Sequence, residues 1–176
     1  PSDRGRKDPV ACAHSFIEQN GIQIAFLGSS DIGGEGSGNE CEPPLSAGPD
    51  SPGFCLLSEE NISSQISDVL TISDSLLIIY QMHTGYEYSF EPERETIFPL
   101  EDEFYNPFYT EPSERSIAMA HHTIDEGASI VIQHHPHVLQ GLELYNGKLI
   151  AHSLGNFVFD QNFPETWTSI KIGRAS

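Results

Sequence analysis

Apolar and polar positions divide the chain into short alternating elements. Gly21-Ile22-Gln23-Ile24-Ala25-Phe26-Leu27-Gly28 is an apolar run bounded by glycines and predicts a strand. From Ser29 to Gly53 the residues are mostly Gly, Pro, Ser and acids, which predicts an exposed loop, an acidic insertion over 29–57. At Ser58 the period changes. Ser58 suits the N-cap position ahead of Glu59 and Glu60, and Ile62, Ile66, Val69 and Leu70 share one helix face. The run from Leu76 to Tyr80 is a second strand. A second helix is expected from Pro112 or Ser113 to Glu126, with Ile117, Ala120, His121 and Ile124 inward and Gly127 where helices end. Ser129 to Gln133 is a third strand, and Val138–Tyr145 and Lys148–His152 flank Asn146-Gly147, the strongest short hairpin signal.

Strands alternating with helices predict an α/β layer fold, and in such sheets ligands gather beyond the carboxyl ends of the strands. Imidazoles follow two of these strands: His83 after one, and Gln133-His134-His135-Pro136-His137 after another. Residues two apart on an extended chain project to one side, and Pro136 biases His135 toward the extended region. His135 and His137 are therefore expected to converge on one ion, with His83 beside them. Three imidazoles suit a divalent transition metal, Mn, Zn or Fe, with positions left open for water or substrate. His134 either contacts a phosphate or carboxylate in a catalytic role or points into solvent. Glu87 either orients an imidazole or is exposed. His14, His121 and His122 read as structural.

Composition narrows the partners. The chain has 176 residues, long enough for one cored domain, with 8 Lys and Arg against 26 Asp and Glu. No Lys or Arg occurs from Asp8 to Glu93, which disfavours a nucleic-acid partner on electrostatic grounds. No apolar run approaches the roughly 20 residues of a membrane span, so no transmembrane segment is expected. The chain opens without Met or a signal peptide, as a processed or truncated polypeptide would. Cys41 and Cys55 bracket a Gly/Pro-rich loop that a disulfide would close, with Cys12 left over; three reduced thiols are the alternative. The segment 80–109 is rich in aromatics, including Tyr86, Tyr88, Phe104, Tyr105, Phe108 and Tyr109, which either meet a polymer surface or pack a long loop. Asp31, Glu35, Glu40 and Glu42 match no calcium-loop spacing and read as a solvated acidic loop.

Three ordered motifs carry a family resemblance: His83-Thr84-Gly85-Tyr86-Glu87-Tyr88; Asp125-Glu126-Gly127-Ala128 leading into His134-His135-Pro136-His137-Val138-Leu139-Gln140-Gly141; and Ser153-Leu154-Gly155-Asn156-Phe157-Val158-Phe159-Asp160. Together they resemble the bacterial poly-γ-glutamate capsule-synthesis family of CapA type, a branch of the calcineurin-like metallophosphoesterase fold. Thr84 stands where that family usually has Trp, Gln133 where it has Gly, and His152 where it tends to have an aromatic residue.

The resemblance implies a metallophosphoesterase-like layered sheet with flanking helices, and the family's earlier motifs have no counterpart here. The expectation is a single partial domain over 1–176, the C-terminal part. His83, His135 and His137 would be metal ligands, with Glu87 and Asn156 lining the same cleft as His134. The implied activity is metal-assisted hydrolysis or transfer in the biosynthesis, anchoring or release of an anionic extracellular polymer, on a polymer or phosphoester substrate outside the cytoplasm. The alternative is a non-catalytic structural or assembly protein with an incomplete metal site. Self-association, or docking with the missing N-terminal half, is expected of its uncovered sheet.

Overall fold

The computed structural model describes residues 11–31, 45–48, 51–73, 75–85 and 112–157. Six strands and two helices follow one another in the order β1 Ser15–Gln19, β2 Ile22–Ser30, α1 Glu59–Leu70, β3 Leu77–His83, α2 Glu114–Glu126, β4 Ile130–His134, β5 Leu142–Tyr145 and β6 Lys148–Ala151. They form one mixed sheet in the order β1-β2-β3-β4-β6-β5. β2, β3, β4 and β6 run parallel, and β1 and β5 are antiparallel edges. This is the α/β architecture that the alternating pattern predicts.

Both helices obey their capping signals. Ser58 has an extended backbone, and its hydroxyl accepts from the Asn61 amide at 3.2 Å. Ser113 does the same for Ser116 at 3.1 Å, and Gly127, at φ 127°, closes α2 with its N–H on the Ile124 carbonyl. Ile62, Ile66 and Val69 are buried as expected, but Leu70 turns outward. On α2 the buried stripe is Ser116, Met119, Ala120, Thr123 and Ile124, so Ile117 and His121 lie at its margin, half-buried, rather than at its centre.

The two parallel crossovers, β2 to β3 and β3 to β4, step across the sheet in the same direction. Right-handed connections then place α1 and α2 on one face, packed against each other. That face carries the core: Ala25, Leu27, Ile78, Tyr80, Met82, Val131 and Ile150, with Ile62, Ile66, Val69, Ala120 and Ile124 from the helices. Tyr80 shares hydrogen bonds with Ser29 and Gln65, and burial pushes its phenol well above the ordinary range. The opposite face presents Ile24, Phe26, Ile79, Ile130 and Ile132, all half-buried.

Three expectations are corrected. The sequence pattern predicts no strand upstream of β2, yet β1 is there, exposed along its length and joined to β2 by Asn20-Gly21, both at positive φ. The insertion over 29–57 is not exposed throughout. Its end returns to the sheet, where the Ser30 amide meets the Cys55 carbonyl at 2.9 Å and the Leu57 amide meets the Ser30 carbonyl at 2.8 Å, and Cys55 and Leu57 are core residues. Cys55 is bonded to Cys12 and not to Cys41, which lies outside the described residues. The β1–β2 hairpin carries Cys12 back along β2 toward the place where residues 55–57 dock, which brings their Cα atoms to 4.8 Å.

Candidate metal centre at the carboxyl end of the sheet

His83 and His134 end adjacent parallel strands and are register partners, so they project from the same sheet face, away from the helices. The Thr84 amide continues the ladder onto the His134 carbonyl at 3.0 Å, and the Asp31 amide meets the His83 carbonyl at 3.3 Å. Burial, and next the nearby His83, hold the His134 pKa below the ordinary imidazole value.

Beyond His134 the chain does not continue extended. His135 lies at φ 107° and His137 at φ 61°, so the expected strand-like projection is replaced by a turn of unusual backbone conformation. The rings still form two neighbouring pairs. The His83 and His135 centroids are 4.7 Å apart, and those of His135 and His137 are 6.2 Å apart. Asn156, from the segment after β6, accepts from His137 Nδ1 through its Oδ1 at 2.8 Å. That bond puts hydrogen on Nδ1 and leaves Nε2 as the lone-pair nitrogen, the tautomer a metal-binding imidazole needs. His134, His135, His137 and Asn156 are half-buried and His83 is exposed. Glu87 and the aromatics from Tyr86 to Tyr109 lie outside the described residues, as do Glu35, Glu40 and Glu42.

The donor types suit a divalent transition ion. Two imidazoles on one tetrahedral ion have ring centroids about 5 Å apart, given metal–nitrogen bonds of roughly 2 Å. The His83–His135 spacing fits this, and the His135–His137 spacing is wider. Among the described residues, no three His, Cys, Asp or Glu side chains form a closed set around one point. For His83, His135 and His137 to hold one ion, the His135–His137 spacing would have to narrow.

Several polar residues near these strand ends are not marked as site residues by the sequence. Asp31 does not belong to a solvated acidic loop: it is buried, and its Oδ2 accepts from Thr84 Oγ1 at 2.8 Å and from Arg115 Nε at 3.1 Å, while Oδ1 has no hydrogen-bond partner. Thr84, where the resemblance expects Trp, thus becomes a buried donor. Gln133 and His152, the other two departures, are bonded to each other at 2.9 Å. The departures themselves were the signal; their partnership depends on the β4–β6 pairing.

Comparison with known proteins agrees with the three motifs. Residues 104–161 match the family described as bacterial capsule synthesis protein PGA_cap. The chain is 33% identical over 158 residues to the PGA biosynthesis protein CapA of Bacillus subtilis (strain 168), covering 90% of this chain and 34% of that protein. It is 31% identical over 155 residues to the capsule biosynthesis protein CapA of Bacillus anthracis, covering 87% and 31%. The chain belongs to the CapA-type capsule-synthesis family. It spans about a third of the length of these CapA relatives. A hypothetical protein from Thermus thermophilus superimposes with a TM-score of 0.41 at 14% identity, over 81% of this chain and 38% of that one. No helix of the described residues is long and apolar enough to cross a membrane.

Proposed function

We propose that this CapA-type chain carries the histidine side of a metal centre that acts on an anionic extracellular polymer of the poly-γ-glutamate class, by metal-assisted hydrolysis or transfer. The observation that carries the reading is the gathering of His83, His135 and His137 beyond the carboxyl ends of β3 and β4, with Asn156 fixing the His137 tautomer. Backbone conformation supports it. Four non-glycine residues among those described have positive φ; two are the hairpin asparagines Asn20 and Asn146, and the other two are His135 and His137. Such conformations cost on the order of 1–3 kcal/mol each and cluster at functional sites. A bound divalent ion would supply a Lewis acid and a water acidic enough to attack at neutral pH. His134, the register partner of His83 on the same face, would meet an anionic group of the substrate. The Cys12–Cys55 disulfide and the names of the CapA relatives support action outside the cytoplasm.

The second reading, a non-catalytic assembly role, rests on the wide spacing of His137 from His135. The two are separated by replacing His137 and Asn156 with Ala in the full polypeptide of a capsule-forming cell and measuring surface polymer at matched protein level. Loss of surface polymer, or a change in its chain length, supports the metal-centre reading. Unchanged polymer with both variants contradicts it and supports assembly.

A further inference from the structure

Behind the histidine turn, on the helix side of the sheet, a line of hydrogen bonds crosses four elements. Gln133 is fully buried in β4, and its Nε2 donates to the Ser116 carbonyl of α2 at 2.7 Å. A carbonyl only accepts, so this bond fixes the orientation of the amide: Oε1 must be the atom facing His152 Nδ1 at 2.9 Å, and Nδ1 must carry hydrogen. His152, just past β6, is itself 4% exposed. On the other side of its ring, Nε2 lies 2.9 Å from Oε2 of Glu143 in β5, and Oε1 of the same carboxylate lies 2.7 Å from His121 Nε2 of α2.

With Nδ1 already protonated, a neutral His152 offers only a lone pair at Nε2. Facing a carboxylate at hydrogen-bond distance, that lone pair is repelled. The contact closes only with one added proton between Nε2 and Oε2, taken from solvent. His121 needs none, since its neutral Nε2–H tautomer can donate to Oε1. We propose that Gln133, His152 and Glu143 form a proton-requiring brace: proton uptake closes the line from Ser116 to Glu143 and fixes the ends of β4 and β6, from which His134–His137 and Asn156 project. The brace is read from α2, β4, β5 and β6 alone; only its consequence for the site rests on the proposed function.

The surroundings agree. Burial lowers the proton affinity of His152, and Glu143 restores part of it, so the His152 pKa lies below the ordinary imidazole value. Burial tends to raise the Glu143 carboxyl, but bonds from His152 and His121 outweigh it and hold the group below its ordinary value. Among the described residues, the other charged or titratable groups near this line are engaged elsewhere. Lys148 Nζ donates to the Ala128 and Ile124 carbonyls, Tyr145 stacks on His121 at 3.9 Å, and Asp125 accepts from Tyr145 and Asn146. The brace therefore opens as pH rises through the His152 pKa, which burial holds below the ordinary imidazole value.

The test uses the metal-free, ¹⁵N-labelled chain, with imidazole and backbone spectra from about pH 4.5 to 8.5. His152 Nδ1 should stay protonated throughout, Nε2 should lose its proton as pH rises, and the backbone amides of His134, His135 and His137 should move with that step. In Glu143→Gln the side-chain amide can donate to the bare Nε2 and close the brace without a proton. The His152 midpoint should then fall by at least about one pH unit, tenfold in proton affinity, and the amides should lose the step. His152→Phe should shift the same amides at every pH. A neutral His152 protonated at Nε2, or amides indifferent to both variants, overturns the brace. Neither outcome involves metal, so failure here is distinct from failure of the metal-centre reading.

Discussion

Gln133 and His152 are hydrogen-bonded partners: Gln133 Oε1 accepts from His152 Nδ1 at 2.9 Å, both side chains buried between α2 and the β4–β6 pair. The family resemblance expects Gly and an aromatic residue at these two places. A lone buried amide or imidazole would leave polar atoms unpaired at a cost of about 1–3 kcal/mol, whereas together each satisfies the other. The pair should thus be non-additive. Gln133→Gly and His152→Phe should each destabilise the fold by about 1–3 kcal/mol, and the double variant by clearly less than the sum. Denaturant unfolding of the three variants measures the coupling.

Acid should weaken the fold from two groups with the same sign. His152 has a lowered pKa in the folded chain, so below the ordinary imidazole value the unfolded chain binds its proton more tightly and stability falls with falling pH. Glu143 is also lowered, so its contribution, complete above the ordinary carboxyl value, is lost as pH falls through the folded value. Stability curves against pH should therefore slope downward from near pH 6.5 into the carboxylate range, about 4. In His152→Phe the upper part of that slope should flatten, and a slope unchanged there contradicts the assignment.

The covalent link should be between Cys12 and Cys55, closing a separation of 43 residues. Unreduced peptide mapping should recover these two cysteines together. Reduction, or Cys12→Ser, should cost about 4 kcal/mol in the chain-entropy account of a loop this long. Recovery of a Cys41–Cys55 peptide instead would contradict the docking of residues 55–57 beside β2.

Gly127 closes α2 at φ 127°, and a Cβ there would stand 3.4 Å from Leu70 Cδ1 and 3.5 Å from Ile66 Cγ2. Gly127→Ala should therefore destabilise by about 1 kcal/mol or more, chiefly through the backbone conformation. Thermal unfolding of the variant is sufficient to measure it.

Legibility in the sequence followed the range of the interactions. Helix ends were readable because Ser58, Ser113 and Gly127 act within three or four residues. Asn146-Gly147 was readable for the same reason. Asn20-Gly21 carries the same signal, but the exposed residues of β1 show no core-facing alternation to support the turn, so no local pattern predicts that strand. Grouping His83 with the later histidines needed only the rule that such sites lie beyond strand ends. The local conformation did not follow from Pro136, since turn geometry overrode its bias on His135 and placed it at φ 107°. The partner of Cys55, the burial of Asp31 under Thr84 and Arg115, and the contact of Glu143 with two histidines all join separate elements, and no local pattern encodes them.

The most direct measurement of the central claim is zinc binding by the disulfide-intact chain, followed by calorimetry together with imidazole ¹⁵N spectra. The account predicts one ion per chain, shifts of the metal-facing ring nitrogens of His83, His135 and His137, Nδ1 of His137 still protonated toward Asn156, and at least about a tenfold loss of affinity in His135→Ala and in His137→Ala. Zinc that fails to bind, or that binds equally well to both variants with the three rings unperturbed, would contradict it.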